Sequence, residues 1–134
     1  MLDLVGPAEI IGDHPDVFET VTIGLDGDSL VNSWHNSLIY HTKLSIKEAK
    51  KQQFDLIVTP GGVEGTNAMI DNKEFIQDFT ELYNNTKVVF TVCTGALILA
   101  KTGLLNGFKA TTNKQVFFKK TPDYLKVDWV YHAR

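Results

Sequence analysis

The pattern of apolar and polar positions along this chain switches repeatedly between two periods. Near-continuous apolar runs occur at Phe54 to Thr59 (F-D-L-I-V-T) and at Val88 to Val92 (V-V-F-T-V). Such runs predict strands buried on both faces, as in a parallel sheet. Between them, Val63 to Ile70 predicts a short helix. Asn72 to Asn85 predicts a clearer amphipathic one, because Phe75, Phe79 and Leu82 share a face at helical spacing. Ala96 to Ala100 has almost no polar face, which predicts a buried helix. Ser45-Ile46-Lys47-Glu48 resembles a capping box and predicts the start of a short helix.

The flanks carry the same alternation. Leu2 to Gly12 predicts a helix with Pro7 in its first turn, closed by Asp13-His14-Pro15-Asp16. Val17 to Leu25 alternates as a strand does, and Asp26-Gly27-Asp28 signals a turn. Leu30 to Thr42 predicts a hairpin around Trp34-His35-Asn36-Ser37. Gly103 ends the buried helix and Asn106-Gly107 makes a turn. Phe108 to Thr112 predicts a short strand, with Asn113 as the cap of a following helix. Pro122 breaks the chain, and Val127 to Ala133 alternates as a last strand. Strands alternating with helices predict an α/β sandwich around a largely parallel sheet, folded as one domain over residues 1–134.

That order puts the only cysteine at a special place. Cys93 stands where the Val88–Val92 strand hands over to the buried helix. Strand-to-helix turns of this kind present a reactive side chain above a sheet. Free N–H groups and the positive dipole end of the helix point at the sulfur, so the thiol pKa is expected to fall. Gly95 lets the backbone approach closely, and Thr94 sets a hydroxyl and an amide beside the sulfur. Ligands of parallel sheets bind beyond the carboxyl ends of the strands. Pro60-Gly61-Gly62 ends the other buried strand there. If the two strands are neighbours, the amides of Gly62 and Thr94 converge as an oxyanion hole.

Composition narrows the function classes. The chain has 134 residues and a net charge of −3, which provides no electrostatic footprint for nucleic acid or for an anionic membrane. One cysteine rules out an internal disulfide and a thiolate zinc cluster, and suits a reducing compartment. No apolar run approaches the roughly 18 residues of a spanning helix. The first residues lack the basic region and cleavage site of a signal peptide. A cytoplasmic location is expected. His14, His35, His41 and His132 are scattered without metal-ligand spacing, so neither a metal nor a cofactor is expected. Trp34 and Trp129 suit core or interface positions.

Three stretches resemble the ThiJ/PfpI (DJ-1/PfpI) superfamily, a branch of the class I glutamine-amidotransferase-like proteins. They are L-D-L-V-G-P-A-E-I at 2–10, D-L-I-V-T-P-G-G at 55–62, and T-V-C-T-G-A-L-I-L-A-K-T-G-L-L-N-G-F-K-A-T-T-N at 91–113. Within the superfamily the sequence is most similar to isocyanide hydratases and to the amidase-like domains of AraC-type regulators. The resemblance implies a flavodoxin-like three-layer sandwich with a cysteine nucleophile elbow. It also implies an incomplete copy at both termini, since the family has a strand before L-D-x-x-G-P and further elements beyond residue 134. Thr94 replaces the histidine that follows the cysteine in PfpI-type proteases, which disfavours a protease. Asp3 occupies the position of the family's acidic partner. The implied site is therefore catalytic Cys93 and Asp3, with Gly61, Gly62, Thr94 and Gly95 around the substrate. The family's A-T-T-H tail reads A-T-T-N here, with Asn113 in the histidine's place.

The expected activity is hydration of a small electrophile of the isocyanide type. Cys93 attacks as thiolate. Asp3 acts as general acid, with a pKa expected to be raised by the neighbouring negative sulfur. A glyoxalase III-like or deglycase-like activity on small aldehydes is the alternative. A thiol sensor or an inactive shortened paralogue is the reading without catalysis. The expected partners are a small-molecule substrate and a second copy in a homodimer, since family members usually dimerise.

Overall fold

A computed structural model describes residues 2–33 and 38–133. Trp34-His35-Asn36-Ser37, expected at the hairpin tip, lie outside the described residues. The chain runs α1 (Leu2–Gly12), β1 (Ile23–Gly24), β2 (Ser29–Asn32), β3 (Ile39–Thr42), β4 (Leu44–Ser45), α2 (Ile46–Ala49), β5 (Phe54–Thr59), α3 (Val63–Asp71) and α4 (Lys73–Asn84). It continues with β6 (Thr86–Thr91), α5 (Gly95–Lys101), β7 (Lys109–Ala110), α6 (Phe117–Lys120), a 3-10 turn (Thr121–Asp123) and β8 (Asp128–Trp129). The result is the expected α/β arrangement. Among the described residues, three strand pairs are parallel (β1–β4, β5–β6, β7–β8) and one is an antiparallel hairpin (β2–β3).

The centre is β5–β6, in register from Phe54 opposite Thr86 to Thr59 opposite Thr91. Two apolar segments joined through α3 and α4 can pair in parallel, because such a crossover needs a helical connection. The core collects Ile46 and Ala49 of α2, Ile57 of β5, Phe75, Leu82 and Tyr83 of α4, and Leu99 of α5. α4 begins where Asn72 accepts from the Phe75 N–H, and its apolar stripe stacks Phe75 on Phe79 at 4.3 Å. The capping box at Ser45 and Glu48 is present with both of its hydrogen bonds. Lys50 ties α2 to α4 through Asp78 at 2.7 Å and Glu81 at 2.8 Å.

Four sequence expectations are corrected. Pro7 is not in the first turn of α1, because the helix starts at Leu2 and carries the proline in its interior. Val17 to Leu25 forms a strand only at Ile23–Gly24. Its parallel partner β4 is two residues long, and the segment before it, Ile39–Thr42, pairs with β2 instead, so the alternating residues before Ile23 have no ladder to join. The strands expected at 108–112 and 127–133 shrink to the pairs Lys109–Ala110 and Asp128–Trp129. Tyr131 turns away to stack on Phe117 at 5.1 Å and Phe118 at 4.7 Å, which ends that ladder. Asn113 does not cap a helix: α6 begins four residues later, after Val116.

Candidate active site

Cys93 links β6 to α5 with φ +57°, the only positive φ at a non-glycine residue among those described. A left-handed conformation costs a residue with a Cβ about 1–2 kcal/mol. Surrounding hydrogen bonds hold it in place. Val92 N–H donates to the Thr59 carbonyl at 3.0 Å, and Gly95 N–H donates back to the Val92 carbonyl at 2.9 Å. A Cβ at Gly95 would run into the Thr59 carbonyl oxygen. Only glycine lets α5 seat directly on the end of β5. From Gly95 to Ala100 every residue of α5 is buried. Cys93 itself is half-buried.

Asp3 reaches the same place from the first turn of α1, also half-buried. Gly61 makes the approach possible. A Cβ placed on it would stand 2.9 Å from Asp3 Oδ2, 2.9 Å from Cys93 Cβ and 2.7 Å from Thr94 N. The carboxylate oxygen and the cysteine Cβ thus flank one bare glycine, no farther apart than twice 2.9 Å. Any side chain at Gly61 would crowd both.

Gly62 and Thr94 also meet, but in a different way from the expected pair of converging amides. The Gly62 N–H donates to Thr94 Oγ1 at 2.9 Å, and Thr94 Oγ1 shares a second hydrogen bond of 2.9 Å with Thr66 Oγ1 of α3. Thr94 and Thr66 are both buried. The Gly62 amide is therefore occupied by a side chain, and the hydroxyl expected beside the sulfur serves instead to tie α3 to α5. Among the described residues no carbonyl or side chain accepts from the Thr94 N–H.

The second arm of the site comes from the loop after β7. Thr112 Oγ1 donates to the Cys93 carbonyl at 3.0 Å, and Asn113 Nδ2 donates to Cys93 Sγ at 3.2 Å. Asn113 Oδ1 accepts from the Gln115 N–H at 2.9 Å. That acceptor role fixes which end of the amide faces sulfur. Sequence reasoning read Asn113 as a helix cap and missed this contact. The available signal was the asparagine at the end of A-T-T-N, where the resembling family has histidine. Thr66 had no signal, since a threonine in a helix is not distinctive.

Behind the elbow, Tyr83 of α4 shares a 3.0 Å hydrogen bond with Thr59 Oγ1. Burial pushes the Tyr83 phenol pKa up, and the Thr59 hydrogen bond opposes this more weakly. A depression of about 340 Å³ opens beside the site, lined by Gly62, Val63, Glu64 and Gly65. A larger one of about 440 Å³ lies at the opposite ends of β5 and β6, around Gln53–Asp55 and Asn84–Lys87; it is remote from the sulfur. Among the described residues no three of His, Cys, Asp or Glu gather as a metal site. His41 pairs with Asp28, away from Cys93. His35 is outside the described residues. No helix among the described residues is long and apolar enough to cross a membrane.

The model of the DJ-1/PfpI family matches residues 2–130. The chain belongs to the DJ-1/PfpI family. Isonitrile hydratase from Pseudomonas putida is 29% identical over 116 residues, which cover 84% of this chain and 46% of that protein. A THiJ/PfpI family protein from Pseudomonas syringae matches in structure with TM-score 0.71 and 27% identity, over 83% of this chain and 44% of that one. Drosophila melanogaster DJ-1beta matches with TM-score 0.79 and 19% identity, over 98% and 68%, and shows the shared fold. The chain spans less than half the length of the hydratase it resembles.

Proposed function

We propose that this DJ-1/PfpI protein is a cysteine-dependent hydratase that adds water to a small isocyanide-type substrate. The observation that carries the reading is the approach of both Cys93 Cβ and the Asp3 carboxyl group to the bare Gly61. Similarity to isonitrile hydratase supports the substrate class.

The chemistry follows from these groups. Sγ attacks the terminal carbon of R–N≡C and forms a C–S bond. That carbon takes the proton of the Asp3 carboxyl, leaving the thioimidate R–N=CH–S. Water then adds its oxygen to the carbon, and one of its protons goes to nitrogen. When the C–S bond breaks, its electron pair returns to sulfur and the hydroxyl proton returns to Asp3. The product is the formamide R–NH–CHO, and both residues are regenerated. A nucleophile and an acid that recover their starting states define covalent catalysis coupled to general acid–base catalysis. The Thr94 N–H, without an acceptor among the described residues, is the donor left for the oxygen that develops on water addition.

Incubation with an aryl isocyanide tests the reading. Formamide is expected from the wild type and not from Cys93→Ala. Asp3→Asn is expected to lose activity by roughly 10²–10⁴-fold, the usual worth of a general acid. Conversion of methylglyoxal alone would instead assign aldehyde chemistry to Cys93. A folded protein inert to both would sink the catalytic reading.

A further inference from the structure

Cys93 is gripped by two adjacent residues that no part of the catalytic scheme uses. Thr112 takes its backbone carbonyl, at 3.0 Å, and Asn113 takes its sulfur, at 3.2 Å. Both come from the short loop between β7 and α6. The loop has its own brace, the 2.9 Å bond from Gln115 N–H to Asn113 Oδ1. That brace orients the carboxamide so that its N–H, a donor, meets the sulfur. Thr112 is buried and Asn113 half-buried, so water competes poorly for either bond.

We infer that Thr112 and Asn113 form a two-point clasp on the strained elbow, with Asn113 as the positioning residue that supports the attacking sulfur by donating an N–H to it. A donor favours the charged form of the atom it touches. The carboxamide carries no charge and does not titrate. Its support therefore does not depend on pH. The Thr112 hydroxyl fixes the carbonyl of the one described non-glycine residue held at positive φ and keeps the sulfur within reach of the amide. The inference rests on Cys93 being the nucleophile, as proposed above, and not on the identity of the substrate.

Three forms of the full chain separate this role from a merely structural one: wild type, Asn113→Ala and Asn113→Asp. Iodoacetamide alkylation at neutral pH reads the sulfur without any isocyanide, and ultraviolet thiolate absorbance reads its ionised fraction. Asn113→Ala removes both the brace and the donor. Losing a charge-assisted donor lowers the thiolate fraction by about tenfold. The alkylation rate falls less, about threefold, because a more basic thiolate is a better nucleophile. Asn113→Asp keeps an oxygen for the Gln115 N–H but turns a second, negative oxygen toward sulfur. It is expected to melt near the wild type and to alkylate slowest of the three, by about tenfold. A structural role makes the opposite prediction, since aspartate would then rescue what alanine loses. Wild-type alkylation in Asn113→Asp overturns the inference, even if Asn113→Ala fails to fold. The expected order without any formamide from the wild type would keep the clasp and discard only the hydratase reading.

Discussion

Cys93 and Asp3 meet across Gly61, yet the elements that deliver them differ in almost every physical respect. α5, which carries the elbow, is buried at six consecutive positions from Gly95 to Ala100. α1, which carries Asp3, has no buried residue at all, and Leu2 and Ile10 are 83% and 70% exposed. The elbow is tied by Thr59, Thr66, Thr112 and Asn113 from three separate segments. α1 loses part of its own ladder, because Pro7 has no N–H to give the carbonyl of Asp3 one turn back. A nucleophile in a strained backbone needs a rigid bed to hold the strain. A proton donor needs only to arrive at the right distance. The two roles can therefore be damaged separately, and each of the following changes acts on one side of that division.

The largest effect is expected in the bed. Leu97 of α5 is 1% exposed. Leu97→Ala removes buried methyl groups and leaves a cavity, for a loss of about 3 kcal/mol in unfolding free energy. Urea denaturation measures it, and a loss under about 1 kcal/mol would show that α5 is not the rigid side.

Gly61→Ala is the next largest and attacks the meeting point itself. Its new Cβ competes for space with Asp3 Oδ2, Thr94 N and Cys93 Cβ. The bedded elbow holds Thr94 N and Cys93 Cβ in place, so the Gly61 loop shifts away from it and the Asp3 carboxyl is pushed aside. Displacement by about 1 Å at a reacting group costs about a hundredfold in rate. Formamide formation is expected to fall by that factor while alkylation of Cys93 stays near the wild-type rate. Equal loss in both assays would mean that the elbow, not the helix, had given way.

Tyr83→Phe is a milder probe of the bed and adds a pH dependence. Without the phenol, the Thr59 hydroxyl loses its partner, at about 1 kcal/mol near neutral pH. Because burial raises the phenol pKa in the fold, the unfolded chain ionises first. The stability from keeping Tyr83 neutral is fully present below pH 10.0, the ordinary phenol value, and is lost as pH rises beyond it. The slope is about 1.4 kcal/mol per pH unit for this one group. Tyr40 and Tyr124 are raised in the same sense, so Tyr83→Phe is expected to flatten the alkaline limb rather than abolish it. Parallel limbs for the two proteins in alkaline urea melts would contradict the assignment.

The same division explains what the sequence disclosed. Elements of the bed were legible because their signals are local and dense. Phe54–Thr59 appears as a strand with the expected bounds, the Ser45–Glu48 capping box is formed, and the helix after Cys93 is as buried as its composition demands. Outside the bed, alternation misled. Val17 to Leu25 has the right pattern for a strand, but pairing needs a partner, and the segment before the two-residue β4 pairs with β2 instead. Val127 to Ala133 was cut short by aromatic packing of Tyr131, which strand periodicity does not encode. At the site, Cys93 was marked by its place in the chain, and Asp3 by family resemblance alone. Asn113 was hidden because its partner lies twenty residues away in sequence, and a polar residue after a strand reads first as a cap.

The smallest effect is expected on α1 itself. Ile10→Ala trims an exposed side chain on an element without a buried position. Surface changes of that kind stay within about 0.5 kcal/mol, and alanine also has the better helix propensity. The sharper measurement is amide exchange in the unmodified chain. α1 amides are expected to exchange through local opening, well before those of α5, whose opening requires the core to come apart. Thiol reactivity should then be insensitive to a change such as Ile10→Ala. If α1 proved as slow to exchange as α5, the exposed face of Leu2, Val5 and Ile10 would have to be covered in solution, and Asp3 would be held as firmly as the sulfur.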